Sequence, residues 1–207
     1  MSVMLDLIGS VVIAAFVILM GVNLNTTVAG AADASMAGLN VQESMAELTR
    51  NLESDFRKIG YNIPNPHGSI AIADTSHIKF YADMQHNGTL DSVEWFIGPP
   101  LSTLPNPNVR VLYRGGTDAS TMTWNQGGAA GLGVTRFYLR YFTAKGDSVR
   151  PLDAADYSTI WIIEISLQVQ SPYLVQDAVN PENSVYAAAY WKQTRLSSQN
   201  IKRHGPI

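Results

Sequence analysis

The chain has 207 residues, with 14 Lys and Arg against 17 Asp and Glu, which gives a formal net charge of -3. This length suits one domain of ordinary size with an appendage. The scattered basic residues argue against nucleic acid as a partner. The chain has no cysteine, which excludes a disulfide framework, thiol chemistry and cysteine-bound metal.

The chain opens on an apolar stretch from Val3 to Val22, which only Asp6 and three small residues interrupt. At about 1.5 Å per residue, such a helix can cross about 30 Å of hydrocarbon. A cleaved signal peptide would carry basic residues before the apolar run, and no basic residue precedes Arg50. We therefore expect residues 1–22 to be a retained membrane or assembly helix. The alternatives are a cleaved signal peptide and a buried helix of a soluble protein.

Residues 23–40 are predicted to be a flexible helical connector. Their alanines favour a helix, whereas Gly30 and Gly38 each cost about 1 kcal/mol relative to Ala. We expect this to be the part of the helix most prone to kink or open.

From Val41 the apolar residues recur at every third or fourth position, which predicts an amphipathic helix over residues 41–60. Gly60 supplies the stop, and Pro64 and Pro66 prevent the helix from resuming. We expect the apolar face to pack on a sheet through Met45, Leu48, Leu52, Phe56 and Ile59.

Beyond Pro66 the hydrophobic period changes to two, which predicts β-strands. The predicted strands are 69–73, 77–84, 93–97, 109–114, 121–125, 134–143, 158–170 and 185–196. Asn87-Gly88 is predicted to turn the chain between the second and third strands, since this dipeptide suits positive φ. One long helix followed by antiparallel strands is an α+β fold, with a globular head over residues 41–207 and its sheet within 69–200.

The sequence predicts no enzyme and no cofactor. The four histidines are isolated from one another, and the glycine-rich segments match no phosphate-binding motif. No dedicated metal site is predicted either. Asp83, Asn87 and Asp91 place oxygen ligands around one turn and are a calcium candidate, but their spacing is not that of an EF-hand and a plain hairpin explains them better.

Asp6 is the one residue in a costly position. An unpaired Asp at the centre of a bilayer costs roughly 2.5–3.5 kcal/mol on insertion scales. Asp6 could instead mark the end of a shorter membrane segment and lie among headgroups. We favour pairing with the α-amino group of a neighbouring copy, because each charge would offset the other's desolvation. The assembly face would then comprise Asp6, Leu7, Ile8, Val11, Val12 and Phe16.

The chain resembles the type IV pilin and type II secretion pseudopilin superfamily, and its larger minor subunits in particular. Residues 2–10 are similar to the family's mature N-terminus, with Asp6 at the glutamate position. Residues 47–63 are similar to the family's "arginine-asparagine-leucine … aspartate … arginine … glycine-tyrosine" helix end. Residues 77–91 resemble its "I-x-F-x-x-D-x-x-x-N-G" hairpin, and residues 133–146 and 160–171 its two following strands.

The chain also departs from the family pattern. The aromatic first residue is missing, and Met1-Ser2 stands where the family has a basic leader ending in glycine. We expect either a processed chain or a branch that dispenses with leader cleavage.

The resemblance implies a structural subunit, a pilin or pseudopilin, that assembles through its N-terminal helix into a type IV pilus-like or secretion filament. Its partners would be other pilin-like subunits and membrane lipid. The helix would cross the inner membrane once, with the head in the periplasm or on an extracellular filament. The residues alone leave two alternatives open: a monomeric membrane-anchored β-domain that binds a ligand outside the cell, and a component of a virion or contractile tube.

Overall fold

The computed structural model describes residues 2–116, 122–124, 133–150, 154–175, 184–186, 190–198 and 200–201. One long N-terminal helix precedes and packs on an antiparallel sheet, which confirms the predicted α+β class. In chain order the elements are α1 (Ser2–Arg57), a 3-10 turn (Pro66–Gly68), β1 (Ile70–Ala73), β2 (His77–Ala82), β3 (Asp91–Pro100), β4 (Arg110–Gly116), β5 (Met122–Trp124), β6 (Gly133–Phe142), β7 (Ser148–Val149), α2 (Ala154–Tyr157), β8 (Ile162–Gln170), β9 (Leu174–Val175), β10 (Val185–Tyr186) and β11 (Tyr190–Leu196).

The main sheet has nine strands among the described residues, in the order β1-β2-β3-β4-β6-β8-β11, with β5 paired to β4 and β7 paired to β6. All of its pairings are antiparallel. β9 and β10 form a separate two-stranded ribbon. Most strands lie within a few residues of their predicted positions, because the alternation of buried and exposed residues is a local signal.

Helix α1 keeps a helical pattern through all 56 of its residues, including the connector at 23–40. Extending an existing helix adds one hydrogen bond for each residue fixed, whereas starting a helix does not. The weak helix formers around Gly30 and Gly38 are therefore carried by the helical turns on either side of them. Whether this segment opens more readily than the rest of α1 stays a prediction.

The C-terminal end of α1 comes earlier than the predicted residue 60. The amides of Lys58 and Ile59 donate to carbonyls three residues back, which tightens the last turn. Gly60 then adopts a φ of +72°, and its amide donates to the carbonyl of Tyr81 in β2 at 3.1 Å. The helix ends here because the backbone turns away to pair with the sheet.

Three predicted strand features differ from the structure. The predicted strand 158–170 begins at Ile162 and is preceded by the short helix α2. The predicted strand 185–196 is divided into β10 and β11, which belong to different sheets. The turn after β2 lies around Asn87-Gly88 as predicted and Gly88 has a positive φ (79°), but the second positive φ is at His86 (57°) and not at Asn87. Residues 121 and 125 of another predicted strand lie outside the described residues.

The main sheet divides between β4 and β6. Within the described residues these strands share one pair, Arg110 with Val134, and we call the space beyond it the sheet gap. The turn between β1 and β2 bridges this gap, because the Thr75 carbonyl accepts from the amide of Leu139 in β6 at 2.7 Å. The next carbonyl of the turn, that of Ser76, accepts from the amide of Ile97 in β3 at 3.2 Å.

Tyr141 in β6 holds the same turn from its side chain. Its hydroxyl donates to the backbone carbonyl of Asp74 at 2.7 Å. Burial raises the pKa of Tyr141 well above its usual range, and the nearby carboxylate of Asp74 adds to the effect. The hydroxyl therefore stays protonated and remains a hydrogen-bond donor throughout the physiological pH range.

The core of the head lies between the second half of α1 and the main sheet. All five residues predicted for this contact are at most 2% exposed and belong to one buried cluster with residues of β2, β3, β4, β6 and β8: Met45, Leu48, Leu52, Phe56 and Ile59. Phe56 meets Phe80 of β2 edge to face, with ring centroids 5.8 Å apart. Each large apolar side chain buried here stabilises the fold by about 1.5–3 kcal/mol.

We expect Leu52→Ala to lower the free energy of unfolding by about 2–5 kcal/mol, because it leaves a cavity under the sheet. Denaturant unfolding of the full chain in non-ionic detergent, followed by tryptophan fluorescence, measures this change. Leu90→Ala is the matched control, since Leu90 is 59% exposed and should contribute little. Equal stability of Leu52→Ala and wild type would contradict the helix–sheet contact.

Candidate functional site

The most unusual surface of the molecule is formed by residues 3–39 of α1. We call this segment the exposed half. Every large apolar side chain from Val3 to Leu39 is between 46% and 79% exposed. Among the described residues one helix, α1, is long enough and apolar enough to cross a membrane. A buried core helix would be covered by the rest of its own chain, and this segment is not.

The predicted assembly residues all lie on this exposed half: Asp6, Leu7, Ile8, Val11, Val12 and Phe16. The structure brings none of them into contact with the head. The residues one turn after Asp6 are Gly9 and Ser10, whose small side chains leave the carboxylate accessible from that side. The Ser10 hydroxyl itself is occupied, because it donates to the carbonyl of Leu7 at 2.8 Å.

The hydroxyl groups of the connector are likewise satisfied within α1. Thr26 and Thr27 both donate to the carbonyl of Asn23 at 2.9 Å, and Ser35 donates to that of Ala31 at 2.9 Å. A hydroxyl that is hydrogen-bonded to its own helix can be moved out of water at a lower cost than a free one. The polar sequence of the connector is thus compatible with contact to lipid or to another helix.

The transition from exposed to buried residues along α1 is abrupt. Leu39 is 64% exposed, whereas Val41 is 1% exposed and is the first residue of the core. Residues 41–57 of α1, the buried half, therefore connect the exposed half to the head through continuous helix.

A buried ion pair joins the buried half of α1 to β3 and β4. The Asp55 carboxylate accepts from Nε of Arg114 at 2.6 Å and from its Nη2 at 3.3 Å, a two-point contact. The same carboxylate accepts from the indole Nε1 of Trp95 at 2.9 Å. Asp55 and Arg114 are each 6% exposed, so both charges are largely removed from water.

Our prediction of the helix–sheet contact did not include this pair, although the sequence held a signal for it. Asp55 stands three residues after Leu52 and four before Ile59, which places it on the apolar stripe. A carboxylate on a buried stripe requires a cation or several donors nearby. The identity of that partner could not be read from the sequence, because Arg114 lies 59 residues away.

The end of α1 is held by the segment that follows β11. The Ser198 hydroxyl donates to the Ile59 carbonyl at 2.6 Å, and the Asn200 side-chain amide donates to the carbonyls of Ile59 and Arg57 at 3.3 and 3.4 Å. These donors satisfy carbonyl groups that the end of a helix leaves without intrahelical partners. The two ends of the head are thereby tied together at one point.

The calcium candidate lies in the turn after β2, where backbone and amide donors occupy its carboxylates. Asp83 accepts from the amides of Asn87 and Gly88 at 3.0 and 2.9 Å, and from the side-chain amide of Asn62 at 2.7 Å. Asp91 accepts from the amide of Met84 at 3.0 Å. Oxygens that already accept N–H groups serve the turn itself, so the hairpin interpretation accounts for all of these residues.

These hydrogen bonds lower the pKa of Asp83. The Asn62 side chain makes the largest contribution, burial opposes it, and the amides of Gly88 and Asn87 lower the pKa further. Asn62 lies in the turns that follow α1 and adopts a left-handed conformation, with a φ of 54°. Asp83 thereby connects the end of α1 to the turn after β2.

No group of three or more His, Cys, Asp and Glu side chains suited to a metal ion occurs within the part of the chain that the structure describes. No family model, curated protein or solved structure matches this chain.

We expect Asp55→Asn to destabilise the head by about 3–5 kcal/mol, because it removes the charge of a buried carboxylate that the Arg114 guanidinium contacts at two points. The asparagine side chain keeps the size of the residue and an acceptor for Trp95. The double variant Asp55→Asn/Arg114→Met should be less destabilised than Asp55→Asn alone, because it removes the buried cation together with the carboxylate that contacts it. Denaturant unfolding measures the loss of unfolding free energy in each variant. If the loss in the double variant equals the sum of the losses in Asp55→Asn and Arg114→Met, the two charges do not interact.

The contribution of Asp83 to stability should depend on pH. Its pKa in the folded protein lies below the ordinary value of 3.8, so its carboxylate stabilises the fold above that value and this contribution is lost as the pH falls through the folded pKa. We expect the difference in unfolding free energy between wild type and Asp83→Asn to be constant near neutral pH and to narrow below about pH 4. Asp147→Asn, at an exposed loop position, is the matched control. A difference that stays constant down to acidic pH would contradict this role.

Proposed function

We propose that this chain is a membrane-anchored, pilin-like structural subunit, in which the exposed half of α1 assembles with other subunits and the head lies outside the membrane. The observation that carries the proposal is the continuity of α1. One helix presents uncovered apolar side chains over residues 3–39 and then enters the core of the head at Val41.

The exposed half needs a cover. Leaving a large apolar side chain in water instead of burying it costs about 1.5–3 kcal/mol, and this segment has many such side chains on all sides. A helix that is apolar all round is covered by lipid or by other protein. In our proposal lipid covers it before assembly, and the helices of neighbouring subunits cover it in the filament.

The uninterrupted helix between the exposed half and the head supports a structural role. A simple tether needs no fixed orientation relative to the domain that it carries. Here the buried half of α1 contributes core residues and the Asp55–Arg114 pair, so the direction of the exposed half is set by the fold of the head. A fixed direction is what repeated stacking of identical subunits requires.

Asp6 supplies specificity in this proposal. Its carboxylate would pair with the α-amino group of a neighbouring subunit and so fix the register of one helix along the next. The proposed setting is the inner membrane with the head in the periplasm or on an extracellular filament. The proposed role is structural and not enzymatic. A monomeric anchored binding domain is the alternative, and it makes the opposite prediction about Asp6.

We expect Asp6→Asn to abolish or strongly reduce assembly while the amount of protein in the membrane stays the same or rises. Removing one partner of a buried ion pair costs about 3–5 kcal/mol, whereas removing a lone carboxylate makes insertion easier. Cross-linking between subunits in membranes, together with the amount of membrane-bound protein, measures both effects.

The matched control is Asp33→Asn, which changes the same chemical group on the same helix at an exposed position about 40 Å further along. It should assemble normally. Wild-type chains that never cross-link would favour the monomeric alternative. Normal assembly of Asp6→Asn would place Asp6 among lipid headgroups and remove the proposed pairing.

A further inference from the structure

The face of the main sheet that points away from α1 carries an open groove of about 740 Å³ beside the sheet gap. It is lined by β6, β7, β8 and the turn between β1 and β2. In β6 the core residues Phe137, Leu139 and Tyr141 alternate with Arg136, Tyr138 and Arg140, so the latter three point to the groove side.

Among the described residues that line the groove, positive side chains outnumber negative ones, although the whole chain has a net charge of -3. Arg136, Arg140 and Arg150 line it, together with the carboxylates of Asp74 and Glu164. Glu164 does not offer its charge to a ligand, because its two oxygens accept from Arg140 at 3.3 Å and from Arg195 at 2.6 Å. The guanidinium groups of Arg140 and Arg195 thus share one carboxylate.

Glu164 also orients these arginines. It is 1% exposed, an unusual burial for a carboxylate on the outer face of a sheet, whereas the side chains of Arg140 and Arg195 are 50% and 65% exposed. The guanidinium carbons of the two arginines lie 5.4 and 4.9 Å from the ring centroid of Phe142. Held by a carboxylate and an aromatic ring, the cations are ordered before any ligand arrives, which lowers the entropic cost of binding.

We propose that this arginine groove, lined by Arg136, Arg140 and Arg150, binds an acidic oligosaccharide. Guanidinium groups bind carboxylates through charge-assisted hydrogen bonds. Between the arginines the lining offers hydroxyl groups that can exchange hydrogen bonds with sugar hydroxyls, from Thr75, Tyr138, Ser148 and Ser166. Arg136 and Arg140 are about 13 Å apart along the strand, a spacing that suits an extended polymer better than a single small anion.

An acidic peptide is disfavoured by the backbone of β6. A peptide would bind most readily by adding a strand to an open sheet edge. On the gap side of β6, the Thr75 carbonyl already accepts from the Leu139 amide, and β7 already pairs with Tyr141 and Phe142. An oligosaccharide lies across side chains and does not need that edge. This inference is independent of the proposed assembly, because the groove and the exposed half of α1 are separate surfaces.

The test is calorimetric titration of the full chain, in non-ionic detergent, with a tetramer of galacturonic acid. We expect binding that weakens with added salt, and about tenfold weaker binding for Arg136→Gln and for Arg150→Gln. Both arginines are exposed, and circular dichroism verifies that the variants fold. Arg50→Gln removes the same charge from the exposed side of α1 and is the matched control, which should bind like wild type.

Four results would overturn the proposal. The first is no binding of the galacturonic acid tetramer to wild type. The second is an equal loss in Arg50→Gln, which would mean a diffuse charge effect. The third is equal or tighter binding of a tetraglutamate peptide, which would assign the groove to acidic peptides. A neutral galactose tetramer should not bind, and its binding with the affinity of the acidic tetramer would also contradict the role of the arginines.

Discussion

Helix α1 is one continuous helix that lies in two different surroundings, the core of the head and the space outside it. The rest of the molecule depends on how the helix joins the two. Residues 41–57 bury an apolar stripe under the sheet, while residues 3–39 bury none of their large apolar side chains in the head. The change takes place within two residues, between Leu39 and Val41. Because the helix does not break there, the position of the head sets the direction of the exposed half.

The Asp55–Arg114 pair makes this connection directional. Apolar contacts between a helix and a sheet tolerate small rotations and shifts, since they depend mainly on area and shape. A carboxylate that accepts from Arg114 and Trp95 at the same time tolerates far less, because both donors come from neighbouring strands. A buried ion pair adds little net stability compared with a well-filled apolar contact. Its contribution here is the orientation of α1 on the sheet.

The two faces of the sheet serve different purposes. The inner face receives α1 and buries mainly apolar side chains among the described residues, with the Asp55–Arg114 pair between them. The outer face carries Arg136, Arg140 and Arg195 around the buried Glu164. The sheet gap lies beside this cluster, and the turn between β1 and β2 bridges it through backbone carbonyls. The groove is a concave surface beside this gap, and ligands bind preferentially in concave sites.

The sequence by itself determined the features that depend on neighbouring residues. The period of three to four residues identified the buried stripe from Met45 to Ile59, and the period of two placed most strands. The apolar run identified the exposed half of α1, and Asp6 stood out because it is a charge within that run. Tertiary structure decided the remaining features: the partner of Asp55, the split of the sheet between β4 and β6, and the cluster around Glu164. Each of these joins residues from separate strands or from α1 and the sheet, so it depends on strand order and register. Periodicity reports which face of an element is buried, but it does not report which distant element will cover that face.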